Sequence, residues 1–377
     1  MTASVPSGEL RPLTSFRFLA AFFVFLFHIQ IRVPLVDDGP LKTLFSEGAV
    51  GMTMFFMLSG FILTHVYQER LNLKKYFLNR FARVYPIYLL AAVLALPWIL
   101  VDLSGSEEGT SSVYTLIQVV IILLFGLLLL QAWLPQLFVY WNNSASWSIS
   151  NEAFFYGCFP LIRAFLLGFS RGWLAALLIL TILVSALIPV SAYVFENTPN
   201  PSFFLFYSNP AYRIPEFFAG CLVYLLFKDV DLTTVYKVVL YIIAVPFVAY
   251  LSLWGDIFPI YTFHNFLGIP AIGACLVLLW KMPEQSNNAW NWRISVWLGH
   301  ISYCFYSFQF HVLEGLPYIV DMDQISPVAF GAMSFVLLLG VSAVGHHLVE
   351  EPCRKWLRSR ANSDGFVFGS PKSRSSV

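Results

Sequence analysis

The sequence has little charge. Asp, Glu, Lys and Arg make up 11% of its 377 residues, against roughly 25% in soluble globular chains. A water-soluble fold is excluded, because so few polar side chains could not cover a core of this size. With 22 Lys and Arg against 21 Asp and Glu, the net charge is +1. The strongly basic face that nucleic acid requires is therefore missing. The five cysteines, Cys158, Cys221, Cys275, Cys304 and Cys353, stand far apart with no CxxC pair. Neither a zinc site nor a disulfide framework is indicated. A cysteine in an apolar run reads as a small buried hydrophobe. No GxGxxG or P-loop pattern occurs, and no strong internal repeat. The first apolar run carries Arg17 and His28 and lacks a small-residue cleavage site, so it reads as a retained helix rather than a leader.

What the chain has in excess is apolar residues: 58%, with 37 Phe. That total matches the demand of about ten or eleven membrane helices of about 20 residues each. Apolar runs fall near 14–34, 48–66, 84–102, 113–131, 147–167, 172–195, 210–228, 236–254, 259–280, 294–313 and 326–349. The expected fold is all-α, a polytopic membrane helical bundle. One integral membrane domain spans 1–360. A tail at 361–377, rich in Ser, Gly and Lys, is expected to be disordered. The gaps between runs are short, so any chemistry belongs to the membrane region itself.

Loop charge sets the expected orientation. Segment 67–83 holds Arg70, Lys74, Lys75, Arg80 and Arg83, and the chain after 350 holds Arg354, Lys355, Arg358 and Arg360. Both are placed in the cytoplasm, and the N-terminus with them, in a cell (inner or plasma) membrane. Loops 103–112, 196–209 and 314–326 carry acids and no Lys or Arg, which suits the outer side. Two cytoplasmic ends require an even number of crossings, and there are eleven runs. The parity breaks between 84 and 146, where one run does not cross fully or 132–146 adds another pass.

Charge inside a membrane is costly and marks function. Arg17 and His28 lie 11 residues apart, roughly 20° beyond three helical turns and about 16 Å along the axis. They share one stripe, with His28 deeper. A neutral imidazole there is suited to proton transfer. Arg80 and Arg83, at i and i+3, face one way and form a fork for phosphate, or else a plain positive-inside anchor. Trp147-Ser148-Ile149-Ser150-Asn151-Glu152 opens a helix that Ser148 or Ser150 caps. Glu152 then pairs with Arg17 or another arginine, orients His28, or serves as a capping-box carboxylate. Arg213 and Glu216 read as a local i,i+3 salt bridge. Gly60 and Ser59 read as close helix packing. Pro352, after Glu350 and Glu351, closes the last helix. His264, His311, His346 and His347 are further polar candidates.

Taken in order, these segments resemble the membrane-bound acyltransferase family 3. Arg17 through His28 is similar to the family's Arg-x10-His first helix. Phe55-Phe56-Met57-Leu58-Ser59-Gly60-Phe61-Ile62 resembles its FFxLSGFL run, and Arg80-Phe81-Ala82-Arg83-Val84-Tyr85-Pro86 its RxxRIYP opening. Residues 147–152 resemble WSLSxE. Gly299-His300-Ile301-Ser302-Tyr303 with His311 is similar to GxISYxxYLxH, and Val349-Glu350-Glu351-Pro352-Cys353-Arg354 to VExPxR. Two positions depart from the pattern: Ala153 follows Glu152 where the family often has a second acid, and His300 replaces the usual Arg. The resemblance implies transfer of an acyl group, most simply acetyl, from cytoplasmic acyl-CoA (acetyl-CoA) as co-substrate. The acceptor would be a hydroxyl of a carbohydrate: an envelope polysaccharide, an exopolysaccharide or a lipid-linked glycan. It implies no permanently bound cofactor, no metal and no nucleic acid. Membrane lipids and polysaccharide-assembly proteins are the implied partners. His28, Arg17 and Glu152 take the catalytic roles, and Arg80 and Arg83 bind the donor. The competing expectation is a proton-coupled transporter or flippase of a glycan or lipid intermediate, with His28 and Glu152 as its relay.

Overall fold

The structure, a computed structural model, describes residues 9–105, 112–134, 137, 146–195, 207–257, 264–283 and 286–363. Every regular element among them is helical. In chain order they are α1 (Arg11–Arg32), the short α2 (Pro40–Ser46), α3 (Gly51–Val66), α4 (Leu73–Gly105), α5 (Ser112–Leu127), α6 (Trp147–Leu166) and α7 (Arg171–Phe195). Next come α8 (Pro210–Phe227), α9 (Thr234–Leu253), α10 (His264–Trp280), α11 (Arg293–Ser307), α12 (Gln309–Gly315), α13 (Pro327–Gly345) and α14 (Glu351–Ser363). Each of the eleven apolar runs contains a helix. The result is the all-α membrane bundle the composition demands.

Side-chain bonds tie the helix ends into two opposite rims. At the basic rim, His300, midway along α11, lies 3.0 Å from Glu9 just before α1. That hydrogen bond holds the Glu9 carboxyl below the usual carboxylate range. Arg163 near the end of α6 donates to the Tyr67 carbonyl after α3 at 2.6 Å. Lys281 donates to the Lys228 carbonyl, and Arg358 of α14 to Asn79 of α4 at 3.2 Å. At the acidic rim, Arg32 ends α1 with its Nε 2.8 Å from Glu314 of α12.

The parity conflict resolves at α5 and α6. Tyr85 and Tyr88, near the middle of the 33-residue α4, donate to the carbonyls of Leu127 and Gly126 at 3.1 and 2.6 Å. So α5 ends at mid-depth. Its 16 residues rise about 24 Å, short of the ~30 Å hydrocarbon core. The end is a Schellman turn: Leu130 N–H reaches the Phe125 carbonyl, Leu129 N–H reaches Gly126, and Leu129 is left-handed at φ 58°. At the same depth Gln131 donates to the Ser146 carbonyl and Ser150 to the Leu129 carbonyl. From there α6 runs on to the basic rim. Helices α5 and α6 together make one broken crossing. Among the described residues the eleven runs therefore trace ten passes between the two rims, an even number.

Close helix approach builds the centre. A Cβ at Gly60 of α3 would collide with the Phe217 carbonyl of α8, and one at Gly220 with the Met57 carbonyl. The two backbones touch only because both positions are glycine. Two details differ from the sequence expectation. Pro352 does not end the chain's helix. A π-helical turn, His346–Glu350, leads into α14, where Pro352 occupies the first turn. The helix is continuous through this point, and the wider π turn, in which Glu351 N–H bonds to the His346 carbonyl, is what accommodates the proline. Residues 361–363, the first of the tail expected to be disordered, belong to α14; residues 364–377 lie outside the described residues.

Candidate active site

Four of the five singled-out residues meet in one open cavity. Arg17 comes from α1, Arg80 and Arg83 from α4, and Glu152 from α6; Ser59, Tyr156, Ser302 and Tyr303 complete the polar lining. All four charged groups are half-buried, as groups facing an open cavity should be. Arg80 and Arg83 share a face because α4 is helical there, and they open toward the basic rim. Three guanidinium groups around one carboxylate leave the cavity positive, and Arg80 Nε is buried without a hydrogen-bond partner. Such a surface suits a polyanion.

Glu152 lies within electrostatic reach of Arg83, Arg80 and Arg17, and its hydrogen-bond partner is Tyr156, which is also hydrogen-bonded to Ser59. Arg80 lies over the Tyr156 ring, 5.7 Å from its centroid. His28 is oriented by a different residue. Its Nδ1 is 2.9 Å from Gln309 Oε1, at the start of α12. Written out along the chain, the GxISYxxYLxH spacing from Gly299 lands on Gln309, not on His311. His311 instead points its Nε2 at the Ala91 carbonyl of α4, 2.8 Å away. No periodicity in the sequence marks Gln309 as polar machinery. Only its place in that motif could have found it.

A smaller cavity continues from the first, sharing Phe55, Glu152 and Tyr303 with it. Ser148 and Tyr306 line its far part and bond to each other at 2.8 Å. Neither Ser148 nor Ser150 caps α6, contrary to expectation. The N-cap position is Ser146, which makes no side-chain cap bond, and both expected hydroxyls reach across to other segments instead. Gln309 lies three residues beyond Tyr306. Tyr306, Ser148 and Glu152 thus form a short polar column leading to the arginines, while His28 and Gln309 are not among the residues that line either cavity.

Two neighbouring clusters hold this column. Arg213 and Glu216 form the expected i,i+3 bridge at 3.1 Å, fully buried. The guanidinium lies 4.9 to 5.5 Å from the rings of Tyr207, Phe56 and Trp147 and donates to Thr53. The pair thereby fixes Trp147 and Phe56 beside the smaller cavity. On the other flank Cys304, His346 and Glu350 bring three ligand-type atoms within 4.8 Å of one another. Arg354 lies 3.9 Å from the same carboxylate, and Arg83 also acts on it. The cluster is therefore neutralised by the protein's own cations and anchors the π turn. The side chain of His264 lies outside the described residues.

Comparison with known proteins identifies the family of the chain. The family described as an acyltransferase domain matches residues 13–347. The curated protein Acyltransferase MdmB of Streptomyces mycarofaciens is 26% identical over 374 residues, covering 93% of each chain. No solved structure matches.

Proposed function

Since the chain belongs to the acyltransferase-domain family, we propose that this multi-pass membrane acyltransferase moves an acyl group, most simply acetyl, from acyl-CoA to a carbohydrate hydroxyl. The observation that carries the reading is the cavity at the basic rim, where Arg17, Arg80, Arg83 and Glu152 converge. By the positive-inside rule that rim faces the cytoplasm, where acyl-CoA is available. Arg80 and Arg83 take the donor's phosphates as charge-assisted bonds. Glu152 holds the guanidinium groups apart and in register. Arg17 stabilises charge developing near the thioester.

His28, three turns up the same helix, is the general base. It takes the proton of the acceptor hydroxyl, whose oxygen attacks the thioester carbonyl. The carbon–sulfur bond breaks, and the departing CoA sulfur receives the proton. The pantetheine arm carries the acyl group up the column from the arginines toward His28. An apolar surround keeps water from the thioester. The acceptor is an envelope polysaccharide, an exopolysaccharide or a lipid-linked glycan, reached from the lipid or the outer side. Membrane lipids and polysaccharide-assembly proteins are the natural neighbours.

The test uses purified protein in nanodiscs and acceptor-dependent release of CoA thiol. His28→Ala, folded and inserted, should lose at least a hundredfold in rate. Arg80→Ala with Arg83→Ala should raise the apparent KM for acyl-CoA about tenfold or more, the loss of about 1.4 kcal/mol of binding. An unchanged KM would reduce that pair to a topology signal. Mass spectrometry of glycans from cells with and without the protein should differ by one acyl group on a defined sugar.

A further inference from the structure

Gln309 is fully buried, at 0% exposure, and makes two hydrogen bonds to α1. Its Nε2 donates to the Ala21 carbonyl at 3.1 Å, and its Oε1 lies 2.9 Å from His28 Nδ1. A backbone carbonyl can only accept. The amide must therefore turn its NH2 to Ala21 and its oxygen to His28. An amide oxygen also only accepts, so His28 Nδ1 carries the hydrogen. In a neutral imidazole this leaves the lone pair on Nε2. The ring is half-buried, so His28 is not sealed in by these contacts.

We propose that Gln309 is the positioning residue for the transfer reaction: it locks His28 in the Nδ1–H tautomer and so assigns Nε2 as the atom that takes the acceptor's proton. The inference rests on His28 being the base. Gln309 does what the third member of a catalytic triad does for its histidine, choosing tautomer and orientation, but as a neutral amide it adds no negative charge. The charged groups around His28 are Arg32 and Glu314. Arg32 donates to the His28 carbonyl at 3.3 Å and to Glu314 at 2.8 Å. The break between α11 and α12, at Phe308, falls immediately before Gln309.

Nitrogen-15 NMR of histidine-labelled protein in nanodiscs reads the tautomer directly, with His28 assigned by loss of its signals in His28→Gln. Wild type should show a protonated Nδ1 and an unprotonated Nε2. Gln309→Met keeps the side-chain length and removes the acceptor. It should move the proton to Nε2 and lower kcat by about 10- to 100-fold, with the KM for acyl-CoA unchanged. Gln309→Glu restores an acceptor and should return Nδ1–H and most of the rate. An Nε2–H tautomer in wild type, or a Gln309→Met protein with wild-type kcat, would overturn the inference. The tautomer measurement needs no turnover. If His28→Ala retains activity, the base assignment fails on its own, while the NMR still reads whether Gln309 holds the ring.

Discussion

At the scale of the residue, several charges within the bundle are held by specific partners. Arg213 is the extreme case, at 0% exposure and facing Glu216 and three aromatic rings. Removing one member strands the other, whereas removing both need not cost stability. Arg213→Met should therefore destabilise the protein by about 3–5 kcal/mol, and Arg213→Met with Glu216→Met should recover most of that loss, measured by unfolding in detergent. A double variant no better than the single would mean the aromatic cage, not the ion pair, carries the site. The arginines, His28 and Glu152 were legible in the sequence because a charged residue in an apolar run is conspicuous. Ser59, Tyr156, Tyr303 and Gln309 were not, because uncharged polar residues in such runs have ordinary packing roles. Which residue Glu152 would serve was also open. The carboxylate goes to the arginines and Tyr156, and His28 goes to an amide.

At the scale of the element, helix existence followed from apolar run length, and helix ends did not. The pairing of α3 with α8 depends on Gly60 and Gly220, where added carbon would meet backbone. Backbone cannot yield as a flexible side chain can. Gly220→Ala should cost about 1–3 kcal/mol through overpacking. Gly157→Ala, exposed on α6 with open space around it, should be neutral or stabilise by up to about 1 kcal/mol through helix propensity. Thermal unfolding of the two variants side by side separates packing from propensity, and equal shifts would contradict the close contact. The end of α5 is set by a Leu in the left-handed region at Leu129, a place where Gly is usual. No glycine announces that stop, so the sequence could confine the broken run to 84–146 but not find its end. The reverse happened at Pro352, where a residue that usually stops a helix instead lies within a continuous one.

At the scale of the whole molecule, ten crossings put the loop after α3 and the loop after α6 on the same side of the membrane. In a Cys-less background, Lys74→Cys and Arg171→Cys should both label from the face that labels Asn287→Cys. Asp38→Cys and Asp323→Cys should label only from the other. If Arg171→Cys reacted from the face of Asp38→Cys, α5 and α6 would each cross, and the shared crossing would be wrong. Composition and run length alone determined that this chain is a helical membrane bundle, because apolar surface on that scale has no other solvent. The order of motifs along the chain determined its family. Tertiary structure decided which charges meet. Residues 17, 80, 83 and 152 are brought to one cavity by the packing of α1, α4 and α6, and 309 reaches 28 across 281 positions of chain. Such contacts depend on helix depth and rotation, which the apolar pattern of a membrane helix specifies only loosely, since lipid and protein interior are nearly equally apolar.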